Sequence, residues 1–288
     1  MPSAISLHQE SIRIHQTSSL KQKTNASCIH SPPIKKQLHL SVAQNEYEIR
    51  EAQRLRYQVF GEELGAQLND RISGHDIDRF DAHCAHILVR NQRGEVVGTY
   101  RLISPETVKK VGGYYAESEF SIQSLSALKP HMIEIGRFCI HPDYRNGAVM
   151  ALLWVGLGQY IAKSDYRYLI GCASIGLSDG GHNAANIYQR FLKEKIVSVT
   201  HWVTPFHPLP HAELVNGQKA VIPPLIKGYL RAGGQVCGAP AWDVDFNTAD
   251  LLFLLPISRL TQRYEKTFLA PYRANEKNHE QQKVLASA

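Results

Sequence analysis

Apolar positions along the chain change period several times, and each change marks an element. Ile49, Ala52, Leu55 and Val59 recur at helical spacing, which predicts an amphipathic helix over 45–60 that stops at Gly61. Residues 86–90 and 95–103 read as two strands joined in a hairpin by Asn91-Gln92-Arg93-Gly94. A further strand over 133–140 is stopped by Pro142. Residues 148–163 are apolar almost all round, so a helix there buries both faces. The short apolar run 168–175 fits a buried strand, and strand, helix and strand in this order make a right-handed parallel crossover. Residues 182–195 read as a helix inside a proline-containing excursion over 176–222, and 224–232 as another helix. Two closing strands follow over 236–243 and 249–257. The expectation is an α/β (α+β) mixed sheet, antiparallel at first, with a parallel crossover in the middle.

Composition changes this picture at the ends. Residues 1–40 hold five lysines and arginines against Glu10, so this segment carries net +4 of the chain's formal +6. With no apolar periodicity, 1–40 reads as a flexible basic tail, 41–270 as the folded domain and 271–288 as a polar tail. A nearly neutral body does not call for a nucleic-acid partner. No stretch reaches the roughly 18–20 apolar residues of a membrane span, and no signal-peptide core is visible. The five cysteines, at 28, 84, 139, 172 and 237, include no CxxC and read as reduced thiols in a cytoplasmic protein.

The most informative chemistry lies in the strand over 133–140. Glu134 and Arg137 are costly in an apolar strand unless paired or used. Strict alternation puts them on opposite faces. Gly136 between them suggests a bulge that brings both to one side and frees backbone N–H groups for an oxyanion. The alternative is a structural salt bridge at a strand end. The turn Arg145-Asn146-Gly147-Ala148 leads straight into the next helix, and a helix N-terminus offers unpaired N–H groups to a phosphate. Its bland alternative is an ordinary turn. Arg54 and Arg56 share the first helix with Phe60, Asp76, Asp78 and Asp81 form a short acidic stretch, and Arg101 sits on the second hairpin strand. Acids and arginines on separate elements can converge on a zwitterionic substrate, though each cluster alone also reads as a surface ion pair. His207 with His211, and His83-Cys84 with His86, are ligand-like, but each lacks a complementary pair, so no metal site is expected.

These residues carry a resemblance. The strand-turn-helix over 133–163 resembles the donor-binding unit of the GNAT acyltransferase fold. Arg56 with Phe60, Asp78 with Asp81, Arg101, and Glu134 with Arg137 resemble the polar set of acyl-homoserine-lactone synthases. Leu-Arg-Tyr-Gln-Val-Phe (55–60), Val-Val-Gly-Thr-Tyr-Arg-Leu (96–102) and Tyr-Tyr-Ala-Glu-Ser-Glu-Phe (114–120) narrow it further. With Ile-Gly-Arg-Phe-Cys-Ile-His-Pro-Asp-Tyr-Arg (135–145) and Ala-Trp-Asp-Val-Asp-Phe-Asn-Thr-Ala-Asp (241–250), the chain resembles the ornithine acyl-carrier-protein N-acyltransferase family over about 40–270.

The resemblance implies transfer of a (3-hydroxy)acyl group from acyl carrier protein to the α-amine of ornithine, giving lyso-ornithine lipid. No further cofactor is implied. It casts Glu134 as base through water, Arg137 and Arg101 as orienting groups, and Arg56, Phe60, Asp78 and Asp81 as acceptor-binding residues. Asp78 and Asp81 would then hold the side-chain ammonium. Residues 145–148 would take the donor phosphopantetheine. GNAT loops for coenzyme A have two glycines after the leading residue, whereas Gly147 here is followed by Ala148 and, two residues later, Met150. That departure favours a carrier-protein donor, with a basic rim of Arg145, Lys193 and Lys195 facing it. Tyr188 is a candidate to protonate the leaving thiolate, with packing as its alternative. The chain has no His-x4-Asp motif of glycerolipid O-acyltransferases, so a separate O-acyltransferase would act downstream. An amphiphilic product implies peripheral contact with the inner membrane. The rival readings are an acyl-homoserine-lactone synthase, an N-acyltransferase for another amino acid, a coenzyme-A-dependent acetyltransferase, and a non-catalytic lipid-binding protein.

Overall fold

Asn45 opens the first helix of the computed structural model, which describes residues 37–68 and 72–270. Its side chain accepts from the Glu48 N–H at 3.0 Å, and Glu46 and Glu48 in the first turn with Arg54 and Arg56 in the last complement the helix dipole. The elements begin β1 (His39–Val42), α1 (Glu46–Arg56), β2 (Ala85–Arg90), β3 (Val96–Ile103), α2 (Pro105–Val111) and β4 (Phe120–Ser121). Next come β5 (Met132–Ile140), α3 (Ala148–Ala162), β6 (Tyr168–Gly176), α4 (His182–Lys193) and β7 (Thr204–Pro205). The chain closes with α5 (His211–Leu214), α6 (Pro224–Ala232), β8 (Gln235–Val236), β9 (Ala241–Asp243), β10 (Thr248–Pro256) and α7 (Gln262–Tyr264).

The main sheet runs β1-β2-β3-β5-β6-β10-β8, with β9 also on β10. It is antiparallel from β1 to β5, parallel between β5 and β6 across the α3 crossover, and antiparallel again onto β10. Both faces of the sheet are covered. Leu251, Phe253 and Leu255 of β10 join the core under α3, α4 and α6, while Leu252 and Leu254 face a second core with Phe80, Tyr114, Phe120 and Leu125. This explains why β10 reads as an unbroken apolar run rather than an alternation. The all-round apolar α3 is covered on both sides: Trp154 packs on Tyr229 of α6 and on Tyr264 and Phe268 of the C-terminal turn.

Several boundaries differ from the sequence expectation. β1 begins at His39, before the expected start of the domain, and the rest of the two expected tails lies outside the described residues, apart from 37 and 38. The first helix does not stop at Gly61 but widens into a π-helical turn over Tyr57–Glu63. The expected strand over 236–243 is two short pieces, because Cys237 to Pro240 turn away between β8 and β9. A Cβ on Gly238 would stand 2.2 Å from the Val203 carbonyl oxygen, so this turn packs backbone against backbone. The helix α2 was not expected, although Ser104 caps it and Gly112, in the left-handed region at φ 82°, ends it.

Candidate active site

The expected bulge is present on β5. Gly136 pairs with Arg101 and Cys139 with Thr99, so two residues of β5, Arg137 and Phe138, oppose Tyr100 alone. Arg137 takes φ 51°, the left-handed conformation an arginine adopts only under constraint. The extra residue brings Glu134 and Arg137 to one cavity despite their odd separation. The parallel ladder between β5 and β6 ends at Glu134 and Ile170, and the two strands then part. At the fork a Cβ on Gly171 would sit 2.5 Å from the Ile135 carbonyl oxygen, so only glycine permits this approach.

Glu134 is fully buried, and its two carboxylate oxygens accept from the backbone N–H groups of Tyr115 (2.6 Å) and Ala116 (2.8 Å). Burial pushes its carboxyl up to about 7, against the pull of those N–H donors and of Arg101. Glu134 thus anchors the short 3₁₀ turn Tyr115–Ser118 over the sheet.

Behind this wall lies a balanced ion network of three arginines and three aspartates. Arg56 forks onto Asp81 at 2.9 and 2.7 Å and places Nε 2.8 Å from Asp76. Arg101 reaches Asp81 at 2.9 Å and Asp78 at 2.5 Å. Arg137 reaches Asp76 at 3.3 Å and Asp78 at 3.4 Å. Burial alone would raise the Asp81 carboxyl, but Arg56 and Arg101 hold it well below the usual range. Arg56 and Asp81, expected to bind the acceptor, are 0% and 2% exposed and take each other as partners. Their role is to fix Arg101 and, through Asp76, Arg137. Asp78 does border a cavity, but its carboxylate is already held by Arg101 and Arg137.

Two cavities meet at Arg137. One, of about 220 Å³, lies in the fork between β5 and β6 and is lined by Phe60, Tyr100, Arg101, Glu134, Arg137 and Tyr229, among others. The other, of about 430 Å³, is lined by Asp76, Asp78, Tyr115, Glu119, Arg137 and Asp243, among others. Tyr115, Arg137, Asp243 and Phe246 border both. The Arg137 guanidinium is sandwiched between the Tyr115 and Phe246 rings, 4.9 Å from each centroid. The Tyr100 and Tyr229 hydroxyls hydrogen-bond to each other in the fork. Tyr115, Glu119, Asp243, Phe246 and Asp250 were not singled out from the sequence. They lie in two segments, 114–120 and 241–250, that are dense in acids and aromatics, and that density was the available signal.

The remaining candidates stand elsewhere. Arg145 forms a two-pronged pair with Glu63 at 2.6 and 2.7 Å, and its Nε donates to the Ile140 carbonyl. Asn146 accepts from the Ala148 N–H at 3.1 Å, and Gly147 caps α3 at φ 91°. This exposed turn is the α3 N-terminus, and none of its residues lines either cavity. Tyr188 is buried against His211, with ring centroids 4.7 Å apart, and packs rather than facing the fork. His86 is buried, with a ring nitrogen 2.9 Å from the Asp81 carbonyl oxygen.

The arrangement joins a fork between parallel strands, a raised carboxyl and a cation between two cavities. The acetyltransferase (GNAT) domain family matches residues 55–155. The L-ornithine N(alpha)-acyltransferase of Agrobacterium fabrum is 36% identical over 79% of this chain and 83% of its own length. That of Rhizobium meliloti is 35% identical over 79% and 82%. The acyl-homoserine-lactone synthase LasI superposes with a TM-score of 0.47 and 15% identity, covering 81% of this chain and 95% of its own. The chain is therefore an acyltransferase with the mixed-sheet GNAT fold, and it belongs to the L-ornithine N(alpha)-acyltransferase family.

Proposed function

We propose that this enzyme transfers a (3-hydroxy)acyl group from the phosphopantetheine thioester of acyl carrier protein to the α-amine of ornithine. The observation that carries the reading is the pair of cavities joined at Arg137. The fork between β5 and β6 has the size and lining for the thioester end of a donor. The acidic, arginine-bearing cavity suits a zwitterionic, dibasic acceptor. Arg137, stacked between two rings and reaching both, is placed to orient the acceptor carboxylate.

In the reaction the neutral α-amine forms a C–N bond to the thioester carbon. The C–S bond then breaks, and the proton lost from the amine nitrogen ends on the departing carrier thiolate. Glu134, raised toward neutrality, takes a proton from the acceptor nitrogen through water. The bulge at Arg137–Phe138 supplies backbone N–H groups where the oxyanion develops. Tyr229, buried at the fork and bonded to Tyr100, is better placed than Tyr188 to protonate the thiolate. The product would be a lyso-ornithine lipid made at the inner membrane surface, and its second acylation would belong to a separate O-acyltransferase. No helix among the described residues is long and apolar enough to cross a membrane.

The test mixes the purified enzyme with a 3-hydroxyacyl carrier protein, or an acyl-CoA, and a pool of amino acids and polyamines, and reads products by mass spectrometry. An N-acylornithine mass that requires the carrier protein is expected, and Glu134→Ala lowers its rate by on the order of 10²–10⁴. A different acylated amine replaces the acceptor, and product from acyl-CoA alone replaces the donor.

A further inference from the structure

The acids of this site divide into two kinds. Asp76, Asp78 and Asp81 each face an arginine, and Glu134 accepts two N–H groups. Glu119 and Asp250 face no cation; they hydrogen-bond to each other instead, and Asp250 also to Ser174. Both carboxylate oxygens of Glu119 are buried, and neither accepts a hydrogen bond of good geometry. Asp250, 3% exposed, accepts from the Thr248 hydroxyl at 2.9 Å. A carboxylate oxygen of each and the Cys172 sulfur lie within 4.8 Å of one another. Neither acid forms an ion pair among the described residues, and Asp243 stands close enough to repel both. Glu119 and Asp243 border the larger cavity, and Asp243 and Asp250 the fork.

Placing two carboxylates together out of water without a cation is costly, and a fold keeps such a pair where something else supplies the charge. Burial and the neighbouring Asp250 and Asp243 push Glu119 up to about 9, and burial pushes Asp250 up to about 6. The free protein therefore holds extra protons there, and a bound cation would displace them. Arg137 borders the same cavity with positive charge. An acceptor carrying a carboxylate and a distal ammonium matches that polarity.

We infer that Glu119 and Asp250, with Asp243 bordering both cavities, form the subsite for the side-chain ammonium of a dibasic amino-acid acceptor and select it over neutral amino acids. This rests on the ornithine N-acyltransferase reading and replaces Asp78 and Asp81 in that role. Glu119 and Asp250 are specificity-determining residues, distinct from the base and from the groups that meet the thioester.

The test is calorimetric binding of ornithine and of norvaline, its counterpart without the side-chain ammonium, to the full chain, with and without holo acyl carrier protein. Wild type is expected to prefer ornithine, and Glu119→Gln or Asp250→Asn to lower the ornithine-to-norvaline affinity ratio by roughly 30-fold or more. The Tm of Glu119→Gln is expected to equal or exceed that of wild type, because a buried acid facing no cation is replaced by a neutral amide. An unchanged ratio in both variants, equal binding of the two amino acids to wild type, or no ornithine binding under either condition overturns the inference. Tight binding of Zn²⁺ or Mn²⁺ that ornithine does not displace overturns it also. Acyl transfer is not read in this experiment, so preferential ornithine binding without acylation would overturn the proposed reaction and leave the subsite standing.

Discussion

Asp81 shows how a residue near a site differs from a residue of the site. Its carboxylate is consumed by Arg56 and Arg101, so Asp81→Asn leaves two buried guanidinium groups short of charge. That substitution is expected to cost about 3–5 kcal/mol in chemical denaturation. Because the folded-state value lies below the ordinary one of about 3.9, Asp81 contributes stability above that pH and loses it as the pH falls. Wild type should weaken more steeply than Asp81→Asn in acid. Glu134 has the opposite shift. Its raised value of about 7 means that the base form appears only as pH rises through neutrality, so kcat/KM should climb through that range. Glu134→Gln should flatten that limb, and an unchanged limb would assign it to another group. Sequence exposed the unusual charges of both residues but not their partners, because those come from segments 18 or more residues away.

At the scale of elements, the site is made by interruptions of regular structure. The β5 bulge turns Arg137 to the side of Glu134, and the fork between β5 and β6 opens because their ladder ends after three residue pairs. Gly171 holds the strands together just at that opening. Gly171→Ala is expected to cost about 1–3 kcal/mol by overpacking and to raise the KM for the acyl donor more than that for the acceptor. The check is a Tm measurement beside initial rates with each substrate varied. The bulge was legible because a glycine sits between two charges in an apolar strand. The split of 235–243 into β8 and β9 was not, because the turn at Gly238 is dictated by contact with Val203 on a distant segment.

For the whole molecule, the proposed carrier-protein donor makes the encounter a question of charge. Arg145 is neutralised by Glu63, so the α3 N-terminus presents a paired rather than a free cation. With formal net charge +6, the chain should still meet an acidic carrier protein by long-range attraction. The kcat/KM for acyl carrier protein is expected to fall several-fold from about 0.05 to 0.5 M salt while kcat changes little. Glu63→Gln, which frees Arg145, should raise kcat/KM at low salt, and steady-state kinetics across salt checks both.

Sequence alone determined the succession of most elements, the parallel crossover and the bulged strand carrying Glu134 and Arg137. Those follow from hydrophobic period, glycine and proline, which act between near neighbours in the chain. The tertiary structure decided which acids are spent on arginines and which face no cation. Asp81 and Glu119 are alike as isolated residues. Only packing places guanidinium groups against the first and a second carboxylate against the other, because the strength and sign of a charge's environment are set by whatever the fold brings within a few ångströms of it.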